Sequence, residues 1–234
     1  MSESDHQLSN RIISILPRED YERIAPHLEY VEMPLGKVLF HPEEHIDYAY
    51  FPYRGTVSIV HVMEDGSQVE VGAVGREGMT GLPIVMGTNS MPLMAIVQIP
   101  GSGVRLKAEH FKEALSSSDD MYRNFLCYGQ AFFVQTAITA GCNRLHPMEG
   151  RMAKWLLTCS DRAESKELQL THEFLSVMLG VRRAGVTVAA NQLKDDGLIN
   201  LSRGRIHILD TEGLEGVSCE CYQVVKKEYK RLLG

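Results

Sequence analysis

The sequence has no long apolar run and few cysteines, and each shortage excludes a class of protein. No stretch of the chain reaches the roughly 18 consecutive apolar residues that cross a membrane as a helix. The five cysteines are an odd number and lie scattered, which favours reduced thiols over a disulfide framework. The first residues, MSESDHQLSN, lack the basic region and apolar core of a secretory signal. We therefore expect a cytoplasmic protein that does not enter a membrane.

Motifs of common catalytic centres are also missing. The chain has no G-x-S-x-G frame for a serine nucleophile. His41 and His45 match the zinc-protease pattern H-x-x-E-H, but Pro42 opposes the helix that would place both histidines on one face. The sequence therefore predicts no catalytic residues, and a protein that is not an enzyme.

Metal and haem motifs are incomplete as well. Cys219 and Cys221 resemble half a metal site, but no second cysteine pair exists and the nearest histidine along the chain is His207. No C-x-x-C-H haem attachment motif is present. We interpret the two thiols as inert or oxidisable, and predict no metal ligands and no identified cofactor.

The composition does provide for two packed domains. A chain of 234 residues with 44% hydrophobic and 23% charged residues is typical of a soluble protein with two cores. The net charge is −6, yet residues 180–207 hold five basic side chains against two acidic ones. That local excess of positive charge is where a phosphate backbone would bind.

Residues 170–193 carry the clearest local pattern. Apolar side chains recur three or four residues apart, which predicts helical faces, and Gly180 interrupts them. Thr171 can cap a helix over residues 172–179, and a second helix follows over residues 182–195. Two short helices joined by a glycine turn form a helix-turn-helix, whose second helix enters the DNA major groove. The alternative is a helix pair in a protein that does not bind DNA.

A basic hairpin follows the second helix. Residues 200–209 have the pattern of two short strands with Arg203 and Gly204 at the tip, and a hairpin in this place makes a winged helix. An arginine at the start of the second helix can donate two hydrogen bonds to guanine. The predicted DNA-binding residues are Arg182, Arg183, Thr187, Asn191, Arg203, Arg205 and Thr171.

The region from residue 30 to residue 106 consists of short apolar runs between turn residues. Strands are predicted over residues 29–33, 37–40, 48–51, 56–62, 68–74, 94–99 and 104–106, with breaks at residues 52–55 and 100–101. Asp65 and Gly66 between two alternating runs indicate a hairpin. Many short strands indicate a barrel or jelly roll, whose interior can hold a small ligand.

Residues 121–140 predict a long helix that is apolar on nearly every side. A helix of this kind is stable only when other protein surfaces pack against every side of it. We expect one side to face the β-domain and the other a second copy of the chain, in a homodimer formed through residues 119–140. The alternative is that the helix is fully buried within one chain.

A β-roll, a long apolar helix and a winged helix, in that order, resemble the Crp/Fnr superfamily of bacterial transcription regulators. The match rests on residues 55–58, 65–66, 72, 75–78, the helix from residue 121 and residues 170–205. The resemblance implies an α+β protein. It would have a cyclic-nucleotide-binding-like β-roll sensor domain over residues 1–118, a dimerisation helix over residues 119–145 and a winged helix domain with a helical tail over residues 146–234.

The resemblance also implies partners. Such a regulator is a homodimer that binds a two-fold symmetric operator on double-stranded DNA and contacts RNA polymerase, under the control of an effector in the β-roll. Arg183 falls where the family's first base-reading arginine lies, whereas Ala184 and Val188 replace the glutamate and second arginine that often follow. We therefore expect an operator different from that of the cyclic-AMP receptor protein.

The implied effector pocket departs further from the family. It falls on Gly75, Glu77, Gly78, Met79, Thr80, Ser90 and Met91. The family's pocket uses a glutamate for the ribose and an arginine beside a serine or threonine for the cyclic phosphate, but no arginine stands beside Ser90. A buried phosphate without a cation is costly, so we expect the usual cyclic-AMP mode to be absent or weak and leave the effector unidentified. An iron–sulfur sensor of the Fnr type is not expected, because the first cysteine is Cys127.

Two rival interpretations stay open at this point. One is a ligand-binding regulatory module that acts through protein contacts, with its helix-turn-helix serving only as a packing unit. The other is a small enzyme with a β-barrel pocket, which lacks a convergent set of acid and base residues.

Overall fold

The computed structural model describes residues 10–234, which begin with two short helices under the sheet. These are α1 (Arg11–Ser14) and α2 (Arg18–Ile24), followed by a 3-10 turn, Ala25–His27. Asn10 caps α1, because its side-chain oxygen accepts a hydrogen bond from Ile13 N at 3.3 Å. The side-chain nitrogen of Asn10 donates to two carbonyls of the β-domain, which fixes the start of the described chain there.

An antiparallel sheet forms the N-terminal domain. Its strands are β1 (Glu29–Met33), β2 (Val38–Phe40), β3 (Tyr48–Val62), β4 (Gln68–Val74) and β5 (Met94–Lys107). The strand order is β1-β5-β3-β4, and β2 pairs with a second stretch of β5. The hairpin predicted at Asp65 and Gly66 is confirmed, because β3 and β4 pair on either side of it.

β3 and β5 are each one long strand, so the strand breaks predicted at residues 52–55 and 100–101 are wrong. Pairing between the two strands continues through both segments with shifts of register, which are β-bulges. Gly55 has a φ of 87°, and a Cβ on Gly101 would lie 2.0 Å from the carbonyl oxygen of Arg54. Glycine and proline therefore bend two paired strands here and do not end them.

Three helices close the β-roll. They are α3 (Leu82–Val85), α4 (Ala108–Ser116) and the long α5 (Asp119–Leu145), which Ser118 caps. The rings of Phe111 and Phe125 meet edge to face at 4.8 Å inside the core, and Phe51 packs against both. The inner face of α5 is thus part of the β-roll core.

The C-terminal domain is a winged helix. Its elements are α6 (Met148–Ala163), β6 (Glu167–Leu168), α7 (His172–Leu179), α8 (Arg183–Asp195), β7 (Ile199–Ser202), β8 (Arg205–Ile208), α9 (Thr211–Val217) and α10 (Cys221–Leu233). The three strands pair in the order β6-β8-β7. The helix predicted over residues 172–179 and the hairpin after the second helix are confirmed, and α8 begins one residue later than predicted because Arg182 is its N-cap.

The last helix returns to the β-roll. Tyr229 and Leu233 of α10 are buried in the β-roll core, and the ring centroids of Tyr229 and Tyr128 are 6.4 Å apart. α10 therefore covers part of α5 that the sheet does not. Full burial of α5 within one chain is nevertheless wrong, because Phe133 is 70% exposed. Within residues 10–234, no helix combines the length and the apolar character needed to cross a bilayer.

Candidate nucleic-acid interface and effector site

The helix-turn-helix is set by a threonine cap and a glycine turn. Thr171 Oγ1 accepts a hydrogen bond from Phe174 N at 3.1 Å, which begins α7. Gly180 ends α7 at a φ of 61°, a left-handed conformation that favours glycine. The inner face of α8 is buried through Val186, Ala189, Ala190 and Leu193. α8 is thereby held with its opposite face toward solvent.

The outer face of α8 is exposed along its length. Arg182, Arg183, Ala184, Val188 and Asn191 lie on it, and Val188 is 72% exposed. The Arg183 guanidinium lies 3.9 Å from the carboxylate of Glu173, and both side chains are about 70% exposed. An exposed pair of this kind contributes only about 0–1 kcal/mol, so Arg183 is free to exchange its partner.

Besides the cap Thr171, two further predicted DNA-binding residues are engaged within the protein. The Thr187 hydroxyl donates to the Arg183 carbonyl at 3.1 Å and lies 3.1 Å from His172 Nδ1. Arg205 donates from Nη1 to Glu167 Oε1 at 2.8 Å. Arg203 is exposed at the tip of the wing, beside Gly204 with a φ of 72°. Arg203 therefore differs from Arg205 in having no carboxylate partner among the described residues.

The structure brings part of the predicted effector pocket together and fills it with protein. Glu77 Oε1 accepts from Arg162 Nε at 2.8 Å and from Gly75 N at 3.1 Å. Gly78 lies against the ring of Tyr128, where an added Cβ would meet ring atoms at 2.0 Å. The Tyr128 hydroxyl donates to the Met79 carbonyl at 2.7 Å. The carboxylate that would meet a ribose is thus bound by an arginine of α6.

The remaining predicted pocket residues lie along other contacts. Thr80 pairs through its backbone with Tyr50, and its buried hydroxyl has no hydrogen-bond partner among the described residues. Ser90 and Met91 belong to the loop before β5, where the Met91 carbonyl accepts from Glu43 N at 2.9 Å. Their side chains are half-buried.

A polar contact between the two domains was not anticipated from the sequence. Trp155 Nε1 donates to Glu70 Oε1 at 3.2 Å, and Ser58 Oγ lies 2.6 Å from the other Glu70 oxygen. Burial raises the pKa of Glu70 above its ordinary value. The only signals in the sequence were the single tryptophan and a glutamate in an otherwise apolar strand, and neither indicates its partner.

Two family models match this chain in the order that the structure shows. The model of the cyclic nucleotide-binding domain matches residues 30–118, and that of the Crp-like helix-turn-helix domain matches residues 150–217. The chain belongs to the Crp/Fnr superfamily of transcription regulators. The α+β fold class predicted from the sequence is confirmed.

Relatives of this Crp/Fnr protein match it over most of their length. The global nitrogen regulator of Synechocystis sp. is 23% identical over an alignment of 206 positions, which covers 84% of this chain and 91% of that protein. A solved Crp/Fnr-family transcriptional regulator from Eubacterium rectale has a TM-score of 0.68 at 19% identity, covering 90% of this chain and 98% of its own. FixK2 from Bradyrhizobium japonicum has a TM-score of 0.70 at 17% identity, covering 82% and 98%. The two solved structures share the fold of this regulator.

Proposed function

We propose that this regulator binds a two-fold symmetric DNA operator as a homodimer, with α8 of each subunit in the major groove. The observation that carries the proposal is the outer face of α8, which is exposed, carries two arginines at its start and is left uncovered by residues 10–234. A recognition helix reads bases through its N-terminal residues, which is where these arginines lie. The matched helix-turn-helix family supports the same role.

Each exposed residue has a role that fits its chemistry. Arg183 donates to guanine O6 and N7, and Asn191 hydrogen-bonds to a base or a phosphate. Val188 contacts a thymine methyl group, which explains an apolar side chain left 72% exposed on this helix. Arg182 and Arg203 bind phosphates, and Arg205 binds one after releasing Glu167. The Thr171 hydroxyl oxygen already caps α7, so its proton is available to a phosphate oxygen.

The homodimer is proposed to form along the uncovered stripe of α5. Tyr122, Leu126 and Phe133 are 40%, 43% and 70% exposed, and their separations of four and seven residues place them on one helical face. Light scattering on the purified chain is expected to give the mass of a dimer. Phe133→Asp is expected to give a monomer. Arg123→Asp, a larger charge change on the same helix but outside the stripe, is expected to give a dimer. A monomeric wild-type chain would contradict this part of the proposal.

Control by cyclic AMP in the family's usual mode is not part of the proposal. Glu77 is bound by Arg162, and Gly78 is covered by Tyr128, so a nucleotide would have to displace both contacts. Calorimetry with cyclic AMP is expected to give no binding heat at millimolar nucleotide. Saturable heat that Glu77→Gln abolishes would contradict this expectation. Contact with RNA polymerase at a promoter is a further part of the proposal, to be measured by transcription in vitro.

The central experiment is selection of genomic DNA fragments by the full chain at physiological salt. We expect enrichment of a palindrome whose half-sites are about 34 Å apart, one helical turn. Affinity for the selected site, measured by fluorescence anisotropy, is expected to fall as salt rises because bound phosphates release counterions. A scrambled site of equal length is the control. Equal binding of both DNAs would contradict sequence-specific recognition.

A further inference from the structure

Three thiols and an imidazole converge at the corner between α5 and α6. Cys142 lies in the last turns of α5, His146 ends that helix, and Cys219 and Cys221 lie where α9 gives way to α10. Their four ligand atoms all lie within 4.8 Å of one another, although the chain places the two halves more than 70 residues apart. These four residues are called the Cys3His cluster below.

Two spacings within the Cys3His cluster match those of ligands on one tetrahedral ion, and all the others lie within 4.8 Å. Cys142 Sγ is 3.5 Å from Cys219 Sγ, and Cys221 Sγ is 3.5 Å from His146 Nδ1. Zinc bonds of about 2.3 Å to sulfur and about 2.0–2.1 Å to nitrogen place tetrahedral ligands roughly 3.5–3.8 Å apart. A disulfide would need about 2.05 Å between sulfurs. A four-iron cluster would spread the ligands farther, because each binds a different iron.

A carboxylate orients the imidazole. His146 Nε2 lies 3.2 Å from Glu220 Oε1, while Nδ1 faces the thiols. A histidine that binds a metal through one nitrogen usually donates its other N–H to a carboxylate, a carbonyl or water. The cluster therefore has the outer partner of a metal site as well as the ligands.

The charge around the cluster also fits an anionic metal centre. Zinc with three thiolates and a neutral imidazole carries one negative charge. Arg151 lies beside the cluster, is only 7% exposed, and forms no ion pair with a carboxylate of the described chain. Its guanidinium donates to the Asn143 side chain and the Leu179 carbonyl, both uncharged. A buried cation without a counter-charge is costly, and the proposed centre would supply one.

We propose that the Cys3His cluster binds one zinc ion and so fastens the start of α10 to the end of the dimerisation helix. The three thiols lose their protons on binding, and zinc keeps its oxidation state. A backbone hydrogen bond already holds the cysteine segment at this corner, since Cys219 N donates to the carbonyl of Gly150 in α6 at 3.3 Å. The ion would close the corner from which the winged helix domain departs. The proposal does not depend on DNA binding.

The test is metal analysis of the full chain. The protein is purified under reducing conditions and stripped of metal with a chelator. It is then titrated with zinc in competition with a zinc-binding dye. We expect one zinc per chain. Cobalt in place of zinc is expected to give the d–d bands of a tetrahedral site and thiolate charge-transfer bands. Cys142→Ser and Cys219→Ser should each weaken zinc binding at least 100-fold. Cys127→Ser changes a cysteine of the same helix outside the cluster and should leave zinc binding unchanged.

Other outcomes would overturn the proposal. Stripped wild-type chain that is folded by circular dichroism yet takes up no zinc would do so, without relying on any variant. So would iron and sulfide in the purified protein, or a Cys142–Cys219 disulfide that persists in zinc-containing buffer. Hydrogen exchange tests separately whether the bound ion stabilises the start of α10. Amides at the start of α10 should exchange faster in the stripped protein, and those of β1 should not change.

Discussion

Two arginines on neighbouring elements of this protein are used in opposite ways. Arg162 of α6 has 8% of its side chain exposed and pairs with Glu77 of the β-roll at 2.7 Å. Arg183 of α8 is 69% exposed and lies 3.9 Å from its nearest carboxylate. The first is a fixed contact between domains, whereas the second is open to a ligand. The guanidinium of Arg162 is a structural contact because it is desolvated and closely paired, whereas that of Arg183, exposed and only loosely paired, is the one we propose for DNA recognition.

The largest expected effect comes from breaking the buried pair. Arg162→Met leaves the Glu77 carboxylate buried without its cation and removes the hydrogen bond to Gln135. We expect a loss of about 3–5 kcal/mol in the free energy of unfolding, measured by urea denaturation. The double variant Arg162→Met/Glu77→Gln should recover most of that loss, since no charge is then left unpaired. A single variant as stable as wild type would show that the pair is not desolvated.

Replacing the exposed arginine should weaken DNA binding and leave stability nearly unchanged. Arg183→Ala is expected to leave the free energy of unfolding within about 0.5 kcal/mol and to weaken operator binding by ~1–3 kcal/mol at constant salt. Specificity should relax at one base position, seen by repeating the DNA selection. Gln192→Ala, which removes an exposed α8 side chain bonded to Asp196, is the control and should change affinity little. Unchanged operator affinity in Arg183→Ala would show that Arg183 does not contact the bases of the operator.

A buried carboxyl group extends the comparison to the pH dependence of the free energy of unfolding. Burial raises the pKa of Glu70 above its ordinary value of 4.5, so the folded protein holds the proton more tightly than the unfolded chain. The stability that Glu70 contributes is therefore fully present below its unfolded pKa and is lost as pH rises through its folded pKa. Glu70→Gln keeps a donor for Ser58 and an acceptor for Trp155 and should remove this slope. Urea denaturation between pH 5 and pH 8 measures both proteins, and parallel curves would contradict the prediction.

The smallest effect belongs to the wing. Arg205 is 56% exposed and paired with Glu167, so Arg205→Ala should hardly change stability. It should weaken binding about equally on all DNA sequences and reduce the salt slope by about one. A loss confined to the selected operator would instead make Arg205 a base-reading residue.

The sequence predicts the helix-turn-helix well because that motif is built locally. Thr171 caps α7 and Gly180 turns the chain, and both lie within a few residues of the structure they determine. The limits of α5 were also close, since Ser118 and the apolar run that follows are local signals. Local rules failed in β3 and β5. There the proline and glycine signals for turns were overridden by continuous pairing between the strands.

The contacts between the two domains and the Cys3His cluster could not be predicted from such local rules. Arg162 meets Glu77 across 85 residues, and Cys142 meets Cys219 across 77. Cys219 and Cys221 stood out in the sequence as half of a metal site. What completes the set is Cys142 and His146, and not His207, which is nearer in sequence. Nothing in the spacing along the chain indicates that pairing, because it depends on how α10 folds back.

The return of α10 also bears on how the protein is made. Tyr229 and Leu233 fill part of the β-roll core, so that core is incomplete until they leave the ribosome. The stretch between α4 and α10 takes on the order of ten seconds to synthesise at ~5–20 residues per second. During that time α5 and the winged helix are being synthesised while the β-roll still has an open apolar face. The nascent chain would need protection from aggregation over that interval. A protein fused after residue 234 would disturb the packing of α10 on the β-roll before it affected the winged helix domain.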